Sequence, residues 1–239
     1  MEWWQILLIV LGTVLLLFLL TVFLYRPFFK RFWDIILSAL AIIILIPVYL
    51  IISILVLIFM GKPIVFSQKR IGKNEKIFKL YKFRSMTNAK DKDGNLLDES
   101  ERLTKFGIFL RSTSLDELPE LFSIFVGKMS FVGPRPQPKY YGPYYTEEEL
   151  KIYTVRGGLI PPDSLCKEAQ GTWEEQFKYE LNYVKNITLW MDIKVIWYTF
   201  LILFKRVKTS YGKDERPHLN EYRSDWNIPK ETFEKWENK

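Results

Sequence analysis

One cysteine and one histidine are all that this 239-residue chain carries of either residue. A lone Cys166 excludes an internal disulfide. A lone His218 leaves a His-rich metal site or a Ser-His-Asp triad improbable. The chain also lacks a Walker loop, a G-x-G-x-x-G, a CxxC and any internal repeat. Charge is missing from two long stretches, residues 6–25 and 35–60. What is present in excess is positive charge, a net +7 with a pI near 9.2. That balance suits an anionic partner, whether nucleic acid, a phosphate ester or a lipid head group. The length suffices for one domain of ordinary size.

The first uncharged stretch, ILLIVLGTVLLLFLLTVFLY, has the length of a transmembrane helix. Trp3 and Trp4 are its interfacial anchors. A cleaved signal peptide fits poorly, because no basic region precedes the run and no small-residue cleavage site follows it. Arg26, Lys30 and Arg31 flank it on one side and only Glu2 on the other, so the positive-inside rule puts residue 26 in the cytoplasm.

The second stretch is long enough to span, yet both its flanks are basic. Residues 62–84 hold Lys62, Lys69, Arg70, Lys73, Lys76, Lys79, Lys82 and Arg84 against Glu75 alone. Pro47 at its middle removes a backbone hydrogen bond and bends a helix. A broken helix that dips into one leaflet and returns satisfies charge and proline together. An ordinary kinked span is the competing reading. Ser38 and Ser53 are candidate partners for carbonyls freed at the break.

Beyond it, IVFSQKRIG and KIFKLYKFRS around GKNE read as two strands and a turn. Phe78, Leu80 and Phe83 are assigned to the core, with Lys79 and Lys82 on the solvent side. Those cations serve either anionic lipid or a phosphorylated ligand equally well. Asp91, Asp93 and Asn95 resemble a calcium loop, but the glycine and glutamate positions do not fit an EF-hand.

SLDELPEL and SFVGPRP form the densest stretch. Ser114 and Glu117 have the spacing of a capping box, which Pro119 weakens. A helix from about Leu118 to Val126, closed by Gly127, fits better and leaves Asp116 and Glu117 at its N-terminus. Capping explains one carboxylate; two acids five residues from Arg111 fit a functional site about as well. Pro134 and Pro136 fix the backbone around Arg135, which suits bidentate phosphate recognition as well as a tight corner. Residues 172–206 read as amphipathic helices whose apolar stripe is core or a face lying on the membrane. The tail after Lys205 reads as a mobile or loosely docked extension.

KRFWDIILS, PIVFSQKRIGKNEKIFKLYKFRSM, LRSTSLDELPELF and GKMSFVGPRP together resemble the bacterial sugar transferase family. These are monotopic polyprenyl-phosphate phosphoglycosyl transferases, and the likeness covers about residues 30–206. It implies an α+β, membrane-associated fold with a re-entrant hairpin (26–61) and a small cytoplasmic catalytic domain with a short sheet (62–206). The N-terminal transmembrane helix (1–25), read from its uncharged run, is a departure from the family, and a polar tail (207–239) follows. The implied setting is the bacterial plasma membrane, catalytic face to the cytoplasm.

The resemblance implies that Asp116 is the nucleophile and Glu117 its partner at a Mg2+ ion. Lys82, Arg84, Arg111, Pro134 and Arg135 match substrate-binding positions, and Asp192 matches an acidic one. The substrates implied are a UDP-sugar and polyprenyl (undecaprenyl) phosphate, with membrane lipid as surroundings and no nucleic acid. The extra N-terminal helix suggests contact with partner enzymes such as downstream glycosyltransferases. Arg156-Gly157-Gly158-Leu159-Ile160-Pro161 departs from the family's R-P-G-[IV]-T-G, which bears on the sugar more than on the reaction. The alternatives are a phosphohydrolase and a catalytically inactive scaffold that binds anionic lipid or glycan-assembly partners.

Overall fold

The structure is a computed structural model that describes residues 2–166, 172–206 and 217–239. Helix α1 (Trp3–Phe23) has no buried residue and is the one described helix long and apolar enough to cross a membrane. A π-helical turn (Tyr25–Phe29) leads into α2 (Lys30–Ile44) and α3 (Ile46–Met60), which meet at an angle of 62°. Pro47 is the second residue of α3, where its missing N–H ends the ladder of α2. Ser38 does not serve the break: its hydroxyl donates to Asp34 O one turn back, at 2.5 Å.

Strands β1 (Val65–Ile71) and β2 (Ile77–Phe83) pair antiparallel, with Ile71 opposite Ile77 and Val65 opposite Phe83. Alternation along β2 puts Lys82 on the same face as Phe78 and Leu80. The expectation that Lys82 lies on the solvent side is therefore corrected, and its ammonium reaches inward to carboxylates. Short α4 (Glu99–Arg102) precedes α5 (Lys105–Ser112), whose Gly107 N–H donates to the Thr104 hydroxyl at 2.9 Å. A 3-10 turn, Leu115–Glu117, feeds α6 (Glu120–Phe125). Ser114 has φ of +55° and makes no side-chain cap, so the capping-box reading of Ser114 and Glu117 fails. Gly127, at φ +85°, turns the chain out of α6, as a left-handed closing position demands.

Strand β3 (Met129–Val132) then pairs in parallel with β4 (Gly157–Ile160), the chain between them passing through α7 (Glu147–Leu150). Helices α8 (Trp173–Lys185) and α9 (Leu189–Arg206) pack behind this pair; Tyr183, Val184 and Val195 join Val132 in the core. Helix α9 leaves Trp190, Ile193, Trp197 and Leu201 exposed along its other side.

The expected loose tail is docked over residues 217–239, while residues 207–216 lie outside the described residues. Residues 217–239 form α10 (Leu219–Tyr222) and α11 (Lys230–Glu237), and Leu219 and Trp236 are buried beside Tyr141, Tyr145 and Trp173. Few aliphatics suffice here because two large contacts and an ion pair, Arg223 with Glu149 at 2.7 Å, do the anchoring. Gly142 admits the Trp236 ring; a Cβ there would lie 2.2 Å from it.

The bent pair α2–α3 is tied to α6 and to the turn before it. Arg31 donates to Ile124 O and Phe125 O at 2.6 and 2.7 Å, so a cation closes the negative end of α6. Tyr49 donates to Leu118 O at 2.6 Å, one residue past Glu117. Asp34 accepts from Ser130 Oγ and Phe131 N at 3.1 and 3.0 Å, holding β3.

Candidate active site

Acid pair, β2 cation and GPRP loop open onto one cleft of about 1150 Å³, lined among others by Lys82, Arg84, Arg111, Asp116, Glu117 and Arg135. The 3-10 turn presents Asp116 and Glu117, and β2 delivers Lys82 between Glu117 and Glu120. Its Nζ lies 2.5 Å from Glu117 Oε1 and 3.2 Å from Glu120 Oε1. Glu120, one turn beyond Asp116, is a third carboxylate that the sequence reading did not single out. The i, i+3 and i, i+4 spacing of Asp116, Glu117 and Glu120 was the available signal.

Three acids around one lysine leave negative charge in excess. Burial, then the neighbouring Glu117 charge, pushes the Asp116 carboxyl up to about 6, with Lys82 and Arg111 pulling the other way. Burial lifts Glu120 to about 7. Burial would raise Glu117 too, but Lys82 and Arg135 outweigh it and hold that carboxylate below the usual range. One acid is thus firmly ionised, while its two neighbours titrate near neutrality.

The arginines are placed differently from one another. Arg111, at the end of α5, donates from Nε to Ser85 Oγ at 3.0 Å and fronts the cleft. The side chain of Arg135 reaches solvent, while its backbone N–H donates to buried Glu180 Oε1 at 2.9 Å. The surrounding carboxylates of Asp163, Glu117, Glu180 and Glu120 hold its guanidinium above its ordinary range. Pro134 is buried, its carbonyl accepting Gly158 N–H at 2.9 Å, so it stiffens the loop from behind. Arg84 is buried and spends Nε and Nη1 on Met86 O and Lys62 O at 2.8 and 2.7 Å. Arg70, unsuspected from sequence, also lines the cleft and donates to Pro136 O at 3.2 Å.

Asp192 is not brought to this cleft. Its Oδ2 accepts from Tyr25 and Lys30, both at 2.5 Å, and its Oδ1 from Tyr183 at 2.6 Å. Those bonds fasten the turn before α2 to α8 and α9. Pro47 likewise stands away from the acids, at the bend between α2 and α3.

Magnesium commonly takes one or two carboxylates and leaves its remaining positions to water and substrate phosphate. Adjacent acids that open onto a cleft fit that habit. Among the described residues no group of three His, Cys, Asp or Glu forms a ready-made metal cage. A shared site completed by substrate is the arrangement these residues suit.

Fold and site define a membrane-associated chain with an acid pair among cations. A family model described as bacterial sugar transferase matches residues 25–206, and the chain belongs to that family. It is 37% identical over 159 residues to the uncharacterized sugar transferase EpsL of Bacillus subtilis, covering 66% of this chain and 77% of that one. It is 36% identical over 190 residues to the UDP-glucose:undecaprenyl-phosphate glucose-1-phosphate transferase of Klebsiella pneumoniae, covering 74% of this chain and 40% of that one. It is 31% identical over 192 residues to the UDP-N-acetylgalactosamine-undecaprenyl-phosphate N-acetylgalactosaminephosphotransferase of Aeromonas hydrophila, with shares of 76% and 43%. The chain therefore spans about two-fifths of the length of these last two relatives.

Proposed function

We propose that this chain transfers a phosphosugar from a UDP-sugar to polyprenyl (undecaprenyl) phosphate, releasing UMP and starting assembly of a surface glycan. The observation that carries the reading is the acid pair Asp116–Glu117, Asp116 buried and Glu117 paired with Lys82, together with Arg111 and Arg135 in one cleft. Asp116 Oδ attacks the sugar-bearing phosphorus, and the bond from that phosphorus to the oxygen bridging the two phosphates breaks. UMP leaves with those electrons, and a phosphosugar-aspartate remains. An oxygen of the polyprenyl phosphate then attacks the same phosphorus and expels the Asp116 carboxylate, giving the diphosphate-linked lipid. Two displacements replace one direct reaction between dianions.

Every reactant is negative, so the flanking cations carry much of the work. Arg111 and Arg135 bind and orient phosphate oxygens, Arg135 on a backbone that two prolines restrict. Lys82 keeps Glu117 ionised and lowers the proton affinity of Asp116. Glu117, with Asp116, is the place for Mg2+, which when bound neutralises phosphate charge.

Membrane placement serves the second substrate. We read α2–α3 as a re-entrant hairpin with the cleft on the cytoplasmic face of the plasma membrane. The 62° bend and basic residues on both flanks support this. The ties from Arg31 and Tyr49 to α6 would then set the acid pair at the depth of a lipid phosphate. Thiol labelling in a Cys166-free background checks the topology: positions 2 and 92 should react from opposite sides, and reaction from one side would overturn it. The activity is tested by UMP release from purified protein in detergent, with a panel of UDP-sugars and with magnesium and undecaprenyl phosphate added or withheld. UMP from at least one donor is expected; folded protein that releases none would favour a binding scaffold.

A further inference from the structure

The cleft has a second cluster, and part of it comes from outside the family-matched region. Pro217 and His218 line the same cleft as Asp116, although the family match ends at residue 206. Both are exposed, and both are held by residues of the matched domain. Tyr141 Oη lies 2.7 Å from His218 Nδ1, and the Trp173 indole donates to Pro217 O at 3.1 Å. Leu219 and Trp236 then bury themselves in the core next to these two aromatic residues. Arg223 fixes the segment once more through Glu149 and Tyr144 O. The segment is therefore a built wall of the cleft.

We propose that residues 217–239 form a donor-specificity wall, with His218, oriented by Tyr141, contacting the sugar of the nucleotide-sugar donor. This rests on the transferase reading above. The chemistry of the cluster is the first argument. Phosphate charge is matched by Lys82, Arg111 and Arg135, whereas the exposed Pro217 and His218, backed by the buried Tyr141, Trp173 and Gln176, give this end of the cleft uncharged groups. Such a surface fits a neutral polyhydroxylated ring, whose edges hydrogen-bond and whose faces pack on apolar groups. Continuity with the phosphate end is provided by Gln176, which donates to Glu180 at 2.9 Å while Glu180 accepts from the Arg135 backbone.

The second argument is the wall's position in the chain. The names of the two characterised relatives share UDP and differ in the sugar, glucose in one and N-acetylgalactosamine in the other. An element lying outside the common family region is suited to the variable part of the donor.

The test compares wild type with His218→Ala and Tyr141→Phe in the full chain, purified in detergent and checked by thermal melting. Calorimetry measures Kd for UDP alone and for UDP-glucose, UDP-galactose and UDP-N-acetylgalactosamine, and UMP release gives KM and kcat. The expected result is KM and Kd for the preferred UDP-sugar raised about 5- to 10-fold, the value of one lost hydrogen bond. Kd for UDP should stay within about twofold, and kcat should change much less than KM. An equal loss of UDP affinity would overturn the proposal by making this a nucleotide contact. Unchanged KM and Kd in both variants would also overturn it, leaving the segment as support for the fold. Should His218→Ala unfold, Tyr141→Phe, which keeps the ring in place, decides alone. Should wild type bind these donors but release no UMP, the transferase reading fails while the Kd comparison still judges the wall.

Discussion

Asp116 and Asp192 are buried to a similar degree, 7% and 4% exposed, but their surroundings are opposite. Two tyrosine hydroxyls and the Lys30 ammonium occupy both oxygens of Asp192, tying three parts of the chain together. Asp116 stands beside a second carboxylate, with a third nearby and one lysine among them, and opens onto a cleft. An acid whose hydrogen bonds are filled by protein donors holds a structure. An acid kept in surplus negative charge is set up to meet a cation or an electrophile.

The largest effect expected from breaking this contrast is at Asp116. Asp116→Asn should cut UMP release on the order of 10³-fold or more, as loss of a nucleophile does. Stability should move the other way. Because the folded state raises the Asp116 pKa, it binds that proton more readily than the unfolded chain, and stability falls as pH rises through about 6. Above that pH the Asn variant should melt higher than wild type, by on the order of 1 to 3 kcal/mol. A variant that loses activity only because it melts lower would contradict the assignment.

Lys82→Met comes next, with UMP release down about 10²-fold. In wild type the attacking form is the carboxylate, so the rate should be full above about pH 7 and fall roughly tenfold per pH unit below 6. Lys82 pulls the Asp116 pKa down, so its removal should move that limb to higher pH. An unmoved limb would show that another group titrates.

Asp192→Asn sharpens the other half of the contrast. It removes the charge partner of Lys30, whose side chain is 14% exposed, and should cost on the order of 3 kcal/mol in thermal or denaturant unfolding. Turnover per folded molecule should stay within about threefold; a selective loss of activity would return Asp192 to the reaction. Tyr49→Phe is the smallest perturbation. It deletes one hydrogen bond to Leu118 O, worth about 1 kcal/mol, with a modest fall in kcat from a looser acid-pair turn.

Local signals made much of this architecture legible in the sequence. The uncharged runs gave α1 and the bent pair α2–α3, Pro47 lies beside the bend, and the apolar-basic alternation over residues 65–83 gave β1 and β2. Gly127 marked the close of α6 because a left-handed residue is needed there. Long-range partnering was not legible. Lys82 was placed on the wrong face because grouping it with Lys79 by charge overrode the strict alternation of the strand. Asp192 looked like a ligand because its partners, Tyr25 and Lys30, lie more than 160 residues away. The C-terminal segment looked loose because its anchors are two large side chains and one arginine, too sparse to form a periodic pattern. Arg84 matched a substrate-binding position, and its guanidinium is bonded to two backbone carbonyls, a use that no sequence spacing reveals.

The central claim is that Asp116 becomes covalently linked to phosphosugar. Purified chain should be mixed with each UDP-sugar and magnesium in the absence of polyprenyl phosphate, quenched, and examined by intact and peptide mass spectrometry. The account predicts one phosphosugar adduct per chain, mapped to Asp116, matched by one equivalent of UMP and discharged when undecaprenyl phosphate is added. Steady transfer to the lipid with no adduct, and no UMP until lipid is present, would contradict it and indicate direct displacement.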